Sequence, residues 1–172
     1  MTQFLVVVVA VVAALAVLNL LLTLALIKRV RVLQELVAQT PRRDPALPRP
    51  GDPVGAFQVT TQEGERLSDE SLKTGVSLVG FFTPNCLPCA TVRAQLLESP
   101  PAIPVLVFVE GTEGDLEAST LAASLKHVAR VAYTADNDTL HRAFRPAGYP
   151  TLIRVENGAI AASGHVLADV LP

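Results

Sequence analysis

Cys86 and Cys89 are the residues of this chain whose type and spacing point most directly to chemistry. They form a C-x-x-C pair around Leu87 and Pro88, and the sequence has no further cysteine. In a helix the second thiol would lie one turn after the first, where it could attack a mixed disulfide and release a partner. The thiolate is the reactive form of cysteine in such an exchange. The spacing therefore predicts a redox-active disulfide.

The elements around the pair fit this chemistry. Residues 76–82 form a short apolar run typical of a buried strand, and helical composition begins at Cys86 and continues to about residue 98. Unpaired N–H groups and the positive end of the helix dipole would stabilise a thiolate at the first position of that helix. The sequence thus places Cys86 where a reactive thiolate is favoured.

Two interpretations without redox activity compete with this prediction. A zinc site needs four ligands, and neither a second C-x-x-C nor the scattered His127, His141 and His165 supplies them. A purely structural disulfide would close a very small loop and constrain the unfolded chain little. We therefore expect no metal and no cofactor, and the three histidines receive no role.

The pattern over residues 54–172 predicts one α/β domain. The expected strands cover residues 54–61, 66–68, 76–82, 103–109, 128–133, 151–155 and 159–163, and the expected helices cover 86–98, 115–126 and 136–144, with a helical turn at 68–72. Asn157 and Gly158 separate the last two strands and are a strong type I′ turn signal. Alternating strands and helices followed by a hairpin predict a sheet with one antiparallel end.

The N-terminal part is different in character. Residues 4–27 contain no charged side chain, and this run of 24 residues exceeds the roughly 20 that span a bilayer as a helix. A cleaved signal peptide would have a basic start and a shorter apolar stretch. We predict a transmembrane anchor with a juxtamembrane extension over residues 1–37, in contact with lipid through residues 4–27, followed by a Pro-rich linker over residues 38–53.

Charge is unevenly distributed along the chain. Residues 1–50 hold six of the fourteen Lys and Arg residues but only two of the sixteen Asp and Glu residues, so residues 51–172 are acidic. An acidic domain argues against a nucleic-acid partner. The basic residues that follow the apolar run favour a cytoplasmic location for the domain under the positive-inside rule.

Three segments together resemble a known family. Residues 79–89 (VGFFTPNCLPC), 149–153 (YPTLI) and 156–158 (ENG) are similar to the thioredoxin fold, most closely to TlpA-like and MauD-like membrane-tethered thiol–disulfide oxidoreductases. The resemblance covers about residues 51–165. It implies a thioredoxin-like α/β fold, a central mixed sheet flanked by helices, preceded here by one transmembrane helix.

The same resemblance implies roles for four residues. Cys86 would attack the substrate disulfide, and Cys89 would resolve the mixed disulfide that results. Pro150 would be a cis-proline facing the Cys86–Cys89 disulfide. Tyr149 would offer backbone groups to an extended substrate peptide. The implied activity is exchange with protein thiols or disulfides, as a reductase, with electrons from a membrane or thioredoxin donor. The family works outside the cytoplasmic membrane, so we expect a single-pass protein with an extracytoplasmic domain, against the charge distribution.

Three features depart from the family pattern. Gly80 stands six positions before Cys86, where the family often has an acidic or amide side chain. Glu110, on the neighbouring strand, is a candidate substitute for that proton acceptor. Asn85 replaces the usual Trp before the first cysteine, which reduces the apolar contact surface. Only residues 167–171 occupy the place of the last thioredoxin helix, so we expect little cover on one face of the sheet unless the anchor or a partner supplies it.

Two other functions stay open. Thr83 lies three residues before Cys86, as in the T-x-x-C pattern of a peroxiredoxin-like thiol peroxidase, although the upstream proline of that pattern is missing. Alternatively, Gly80 and Asn85 fit a non-enzymatic binding or assembly module that keeps the thioredoxin-like fold but has weak thiol–disulfide exchange activity. In that case a partner would bind near Tyr149.

Overall fold

The computed structural model describes residues 15–16, 19–20, 23, 46–134 and 138–171. The chain divides into two units, Met1–Arg43 and Asp44–Pro172, and the second carries the fold considered below. Most of the predicted membrane anchor over residues 4–27 lies outside the described residues. Within the part of the chain that is described, no helix combines the length and apolar character that crossing a membrane requires.

A five-stranded sheet and a separate two-stranded ribbon form the second unit. The strands are β1 Gln58–Thr60, β2 Arg66–Ser68, β3 Val76–Phe82, β4 Val105–Val109, β5 Arg130–Tyr133, β6 Thr151–Glu156 and β7 Ala159–Gly164. The α-helices are α1 Leu87–Glu98, α2 Leu116–Leu125 and α3 Asp138–Phe144, and short 3-10 turns cover Asp69–Leu72 and Leu167–Asp169. These elements lie within a few residues of those predicted from the sequence.

The large sheet has the order β5-β4-β3-β6-β7. Strands β3, β4 and β5 are parallel, whereas β6 runs antiparallel to both β3 and β7. The predicted mixed sheet with one antiparallel end is confirmed. Strand β3 lies at the centre and is buried along all but its first residue, as expected when elements cover both faces of a sheet.

Side chains from the two faces of this sheet form two separate cores. We call the first the cysteine-side core; it packs against α1 and α2 and contains Cys89 among mainly aliphatic residues, including Leu78, Val92, Val107 and Leu121. The second, the aromatic core, packs against α3 and contains Phe57, Phe81, Phe108 and Phe144. Successive residues of a strand point to opposite faces, so Phe81 joins the aromatic core and Phe82 the cysteine-side core.

The turn between β6 and β7 confirms the hairpin signal in the sequence. Asn157 and Gly158 both have positive φ, 49° and 80°, as a type I′ turn requires. The Asn157 side chain also accepts a hydrogen bond from the Gly75 N–H at 3.1 Å. The antiparallel end of the sheet is therefore fixed by local turn chemistry and tied to the start of β3.

The end of the predicted linker is bound to the domain. The Gly51 N–H donates to the Ile160 carbonyl at 2.8 Å, and the Ile160 N–H donates to the Asp52 carbonyl at 2.9 Å. Arg145, which follows α3, forms an ion pair with the Asp52 carboxylate at 2.6 Å. Backbone and side chain at Asp52 thus attach this segment to β7 and to the residue that follows α3, so the predicted linker ends before Asp52.

The C-terminal residues cover the face that the sequence left with little protection. Leu167 and Leu171 pack against the cysteine-side core, and Val170 is buried in it. The expectation of a poorly covered sheet face was therefore wrong for this region. A 3-10 turn suffices because three apolar side chains within five residues point to the same side.

Candidate active site

The C-x-x-C pair lies where β3 ends and α1 begins. Asn85, with φ of 57°, turns the chain, and Cys86 occupies the N-cap of α1 with an extended backbone. The Cys89 N–H donates to the Cys86 sulfur at 3.2 Å, so the sulfur itself caps the helix. Pro88 fits the first turn because an N–H there has no partner within the helix.

The two sulfurs form a disulfide with Cα atoms 5.2 Å apart, and they differ in access. Cys86 is half-buried and faces solvent, whereas Cys89 is 2% exposed and lies in the cysteine-side core. An incoming sulfur can therefore reach Cys86 but not Cys89. The arrangement can perform exchange in which one cysteine meets the partner and the other acts from within.

The structure brings Tyr149 and Pro150 to this disulfide. The Tyr149–Pro150 peptide bond is cis, as the resemblance implied, and the Tyr149 carbonyl oxygen lies 3.7 Å from the Cys86 sulfur. A reduced Cys86 thiol can donate a hydrogen bond to that carbonyl. All four residues predicted for the site from the sequence therefore lie together in the fold.

The Tyr149 side chain links residues that sequence reasoning treated separately. Burial raises the pKa of Tyr149 to about 12, and the negative charge of the Glu110 carboxylate adds to this shift. His141 Nε2 lies 3.4 Å from the Tyr149 hydroxyl. Glu110 follows β4 and is held beside the end of β3 by a 2.8 Å bond from its N–H to the Phe82 carbonyl. A residue that follows β4 and a residue within α3 thus lie near this phenol.

His165 is a second histidine for which no role was predicted from the sequence. Its Nδ1 lies 2.6 Å from the Pro150 carbonyl oxygen. A carbonyl can only accept, so Nδ1 carries the hydrogen and donates it. The pairing of Leu152 with Gly164 places His165 beside Pro150, and only this long-range register could have revealed the contact.

An aromatic ring fills the space beside Gly80. A Cβ on Gly80 would lie 2.6 Å from Cε2 of Phe82 and 3.4 Å from Cδ2 of Leu152. The ring of Phe82 thus occupies the space beside Gly80, where the family often has an acidic or amide side chain. Glu110, the expected substitute, is exposed at the edge of the site, and its charge contributes to the raised pKa of Tyr149. A charge is costly to bury without a partner, so a reduced Cys89 is favoured as the neutral thiol.

A groove of about 570 Å³ extends from Cys86 between the starts of α1 and α2. Leu87 and Leu116, the first residues of these helices, line it and are each 82% exposed. The Asn85 side chain donates a hydrogen bond to the Glu117 carboxylate across the groove. Neither Leu116 nor Glu117 was predicted as a site residue, because α2 is separated from the C-x-x-C pair by a whole strand.

No group of three or more His, Cys, Asp and Glu side chains among the described residues could hold a metal ion. His127 is exposed at the end of α2, and His141 and His165 contact the Tyr149–Pro150 segment from two different elements.

Comparisons with known proteins identify the fold. No protein-family model and no curated protein sequence matches this chain. The thioredoxin domain of a thiol–disulfide oxidoreductase from Bacteroides vulgatus matches with a TM-score of 0.57 and 19% identity, over 71% of this chain and 92% of that domain. A secreted disulfide oxidoreductase from Mycobacterium tuberculosis matches with a TM-score of 0.50 and 18% identity, over 67% of this chain and 87% of that one. The domain has a thioredoxin-like fold, and its structural neighbours include thiol–disulfide oxidoreductases.

Proposed function

We propose that this protein is a thiol–disulfide oxidoreductase that exchanges the Cys86–Cys89 disulfide with the cysteines of another protein, acting as a reductase. The observation that carries the proposal is the unequal access of the two sulfurs. Cys86 is reachable at the N-terminus of α1, beside the Tyr149 carbonyl, whereas Cys89 is buried directly behind it. This is the arrangement that a two-step exchange requires.

A dithiol donor, from a membrane relay or a thioredoxin, reduces the Cys86–Cys89 disulfide by exchange and is itself oxidised to a disulfide. In the first step of the exchange with substrate, the Cys86 thiolate then attacks one sulfur of a substrate disulfide. A bond forms between Cys86 and that sulfur, the substrate disulfide breaks, and the second substrate sulfur leaves as a thiolate that takes a proton from solvent. The N–H of Cys89 and the N-terminus of α1 stabilise negative charge on Cys86 before attack. The same groups make Cys86 a good leaving group in the reverse direction.

In the second step, Cys89 loses its proton and attacks the Cys86 sulfur. The internal disulfide forms again, and the substrate leaves with two thiols, having gained two electrons from the protein. Phe82 occupies the space next to Gly80, where the family that the sequence resembles often has an acidic or amide side chain. We infer that this second step is the slow one and that the mixed disulfide persists.

Substitution of each cysteine tests the exchange. In reduction of insulin by the full chain, C86S should lower the rate at least about a thousandfold, since it removes the nucleophile. C89S should instead leave the first step intact and trap a mixed disulfide that is visible by mass. The proposal fails if C86S retains the activity of the unmodified protein. S99A, at the far end of α1, is the control.

The reducing direction has a separate test. It is supported by Pro88, which leaves no charge between the sulfurs, and by the family resemblance. Equilibration of the full chain with glutathione or dithiothreitol buffers should give a potential at or below about −250 mV. A value of about −120 to −180 mV would instead indicate an oxidant or isomerase.

The same protein samples separate the two alternative functions. Rapid consumption of hydrogen peroxide by the reduced chain would favour the peroxidase hypothesis. Undiminished capture of a partner by a chain carrying both C86A and C89A, with no reversible redox couple in the unmodified chain, would favour the binding module.

We further propose that residues 4–27 anchor the chain in a membrane with the domain outside the cytoplasm. The charge-free run of 24 residues and the isolated cysteine pair support this, whereas the basic residues after the run favour the opposite side. Added protease should digest the domain in right-side-out vesicles. Protection of the domain until the vesicles are lysed would place it in the cytoplasm.

A further inference from the structure

We propose that the groove between the starts of α1 and α2 binds an apolar side chain next to the reacting cysteine of the substrate. The substrates would then be polypeptides with a residue such as Leu or Phe beside that cysteine. This inference rests on the proposed exchange at Cys86 and names the substrate class that the site takes.

The unusual exposure of two leucines is the main observation. Leu87 and Leu116 are each 82% exposed, more than any other large apolar side chain among the described residues. Single exposed apolar residues are normal on a protein surface. These two come from different helices and line the same groove as Cys86, where a patch of this kind marks an interaction site.

The groove has an apolar floor as well as apolar sides. Cys89 and Leu121, both buried, lie at its base, and Pro84 and Ala90 contribute to its walls. Its volume of about 570 Å³ lies within the range of roughly 300–1,000 Å³ typical of sites that hold a small ligand. An apolar side chain entering this space would remove both leucines from water.

Hydrogen bonds hold the two sides of the groove in place. The Asn85 side chain bonds to Glu117 in the first turn of α2, which ties the loop before Cys86 to that helix. The Asp115 carboxylate accepts a bond from the Thr112 N–H at 2.7 Å at the N-cap of α2. A site formed before binding loses less conformational entropy when it is occupied.

The chemistry of Cys86 identifies the occupant. A substrate must bring its own sulfur to the Cys86 sulfur, so the residues flanking that sulfur are carried along the groove. The charges at the rim, Arg93 and Glu117, are of opposite sign, and Glu117 is engaged by Asn85. The groove therefore offers apolar contact without a strong preference for either sign of charge. Leu87 and Leu116 thus provide the apolar surface that Asn85, in place of Trp, does not.

Paired peptides test the inference. Each peptide carries one cysteine in a mixed disulfide with a chromophoric thiol and differs from its pair only by Leu or Ser beside that cysteine. The reduced full chain should release the thiol roughly tenfold faster from the Leu peptide, because the leucine side chain leaves water when it enters the groove. In L116S the ratio of the two rates should fall close to one, whereas L116F should keep it.

The quantity compared is the ratio of the rates for the Leu and Ser peptides, because a general loss of reactivity lowers both rates equally and leaves their ratio unchanged. L97S is the matched control, because Leu97 belongs to α1, is 42% exposed and lies outside the groove. The ratio of the two rates in L97S should equal that of the unmodified chain. Equal rates for both peptides in the unmodified chain, or an unchanged ratio in L116S, would overturn the inference.

Two further outcomes keep this inference distinct from the proposed function. If the unmodified chain fails to exchange even with glutathione disulfide, the proposed function fails, and this inference fails with it. Exchange with glutathione disulfide but no discrimination between the peptides overturns the groove alone. Self-association of the unmodified chain that L116S abolishes would assign the groove to a second copy of the chain and would likewise overturn it.

Discussion

The cysteine-side core and the aromatic core lie on opposite faces of one sheet and are built differently. In the aromatic core, rings of Phe57, Phe81, Phe108 and Phe144 pack with centroids 5.1–6.1 Å apart. The cysteine-side core is mostly aliphatic and includes one half of the disulfide, Cys89. One face therefore contributes mainly packing, and the other holds a reactive group below the surface.

Strand β3 supplies both faces and shows what the difference means. Phe81 contacts three aromatic partners, the rings of Phe108, Phe144 and His141. Phe82, the next residue, instead occupies the space beside Gly80 near the disulfide. An aromatic ring thus stands where an acid would assist Cys89. Changes on the aromatic face should alter stability alone, and changes on the cysteine side should alter stability and exchange together.

The largest expected effect on stability is on the aromatic face. F108A removes a ring that contacts Phe57, Phe81 and Phe144, and we expect the free energy of unfolding to fall by about 3–5 kcal/mol. Denaturant unfolding measures this loss. The exchange rate per folded molecule should stay unchanged. A fall in that rate beyond the unfolded fraction would show that the two faces are not separate.

A smaller effect is expected at Gly80. The methyl group of G80A would lie too close to the fully buried ring of Phe82, and such overpacking costs roughly 1–3 kcal/mol. Adding F82L should recover part of this loss, because it removes the ring that the new methyl group would clash with. A double-mutant cycle measures the coupling between the two substitutions. G114A is the control, since its nearest neighbour would be 3.7 Å away. Additive losses in the cycle would refute the packing explanation.

The smallest effect concerns Tyr149, which contacts both cores. Its folded pKa of about 12 exceeds the usual 10.0, so the neutral phenol stabilises the fold below pH 10 and this contribution is lost as the pH rises towards 12. In a Y133F chain, ultraviolet absorbance of phenolate should report titration near 12. E110Q should lower that pKa by removing a negative charge. Titration near 10 in the folded Y133F chain would contradict the burial of this phenol.

The sequence predicted well the features that depend on neighbours along the chain. The C-x-x-C pair at a strand-to-helix junction, the turn at Asn157-Gly158 and the cis-proline at Pro150 are all found as expected. The first two depend on residues within a few positions of one another, whereas the cis-proline was implied by the family resemblance. The resemblance further identified the fold, because its three segments mark the ends of β3 and β6 and the final hairpin.

The sequence did not predict the contacts between distant segments. It gave His141 and His165 no role, yet they contact Tyr149 and the Pro150 carbonyl. It also placed Asp52 in a linker, although this residue pairs with β7. These contacts depend on the register of the sheet and on the position of α3. Local sequence patterns predict neither the register nor that position.

The sequence by itself thus determined which atoms can react: two thiols three residues apart, at the start of a helix. Only the tertiary structure decided that Cys86 faces solvent and Cys89 does not, that Phe82 fills the space beside Gly80, and that Leu116 joins Leu87 in one groove. The physical reason is that reactivity depends on residue type and nearby backbone dipoles, whereas access and packing depend on which distant segments the sheet brings together.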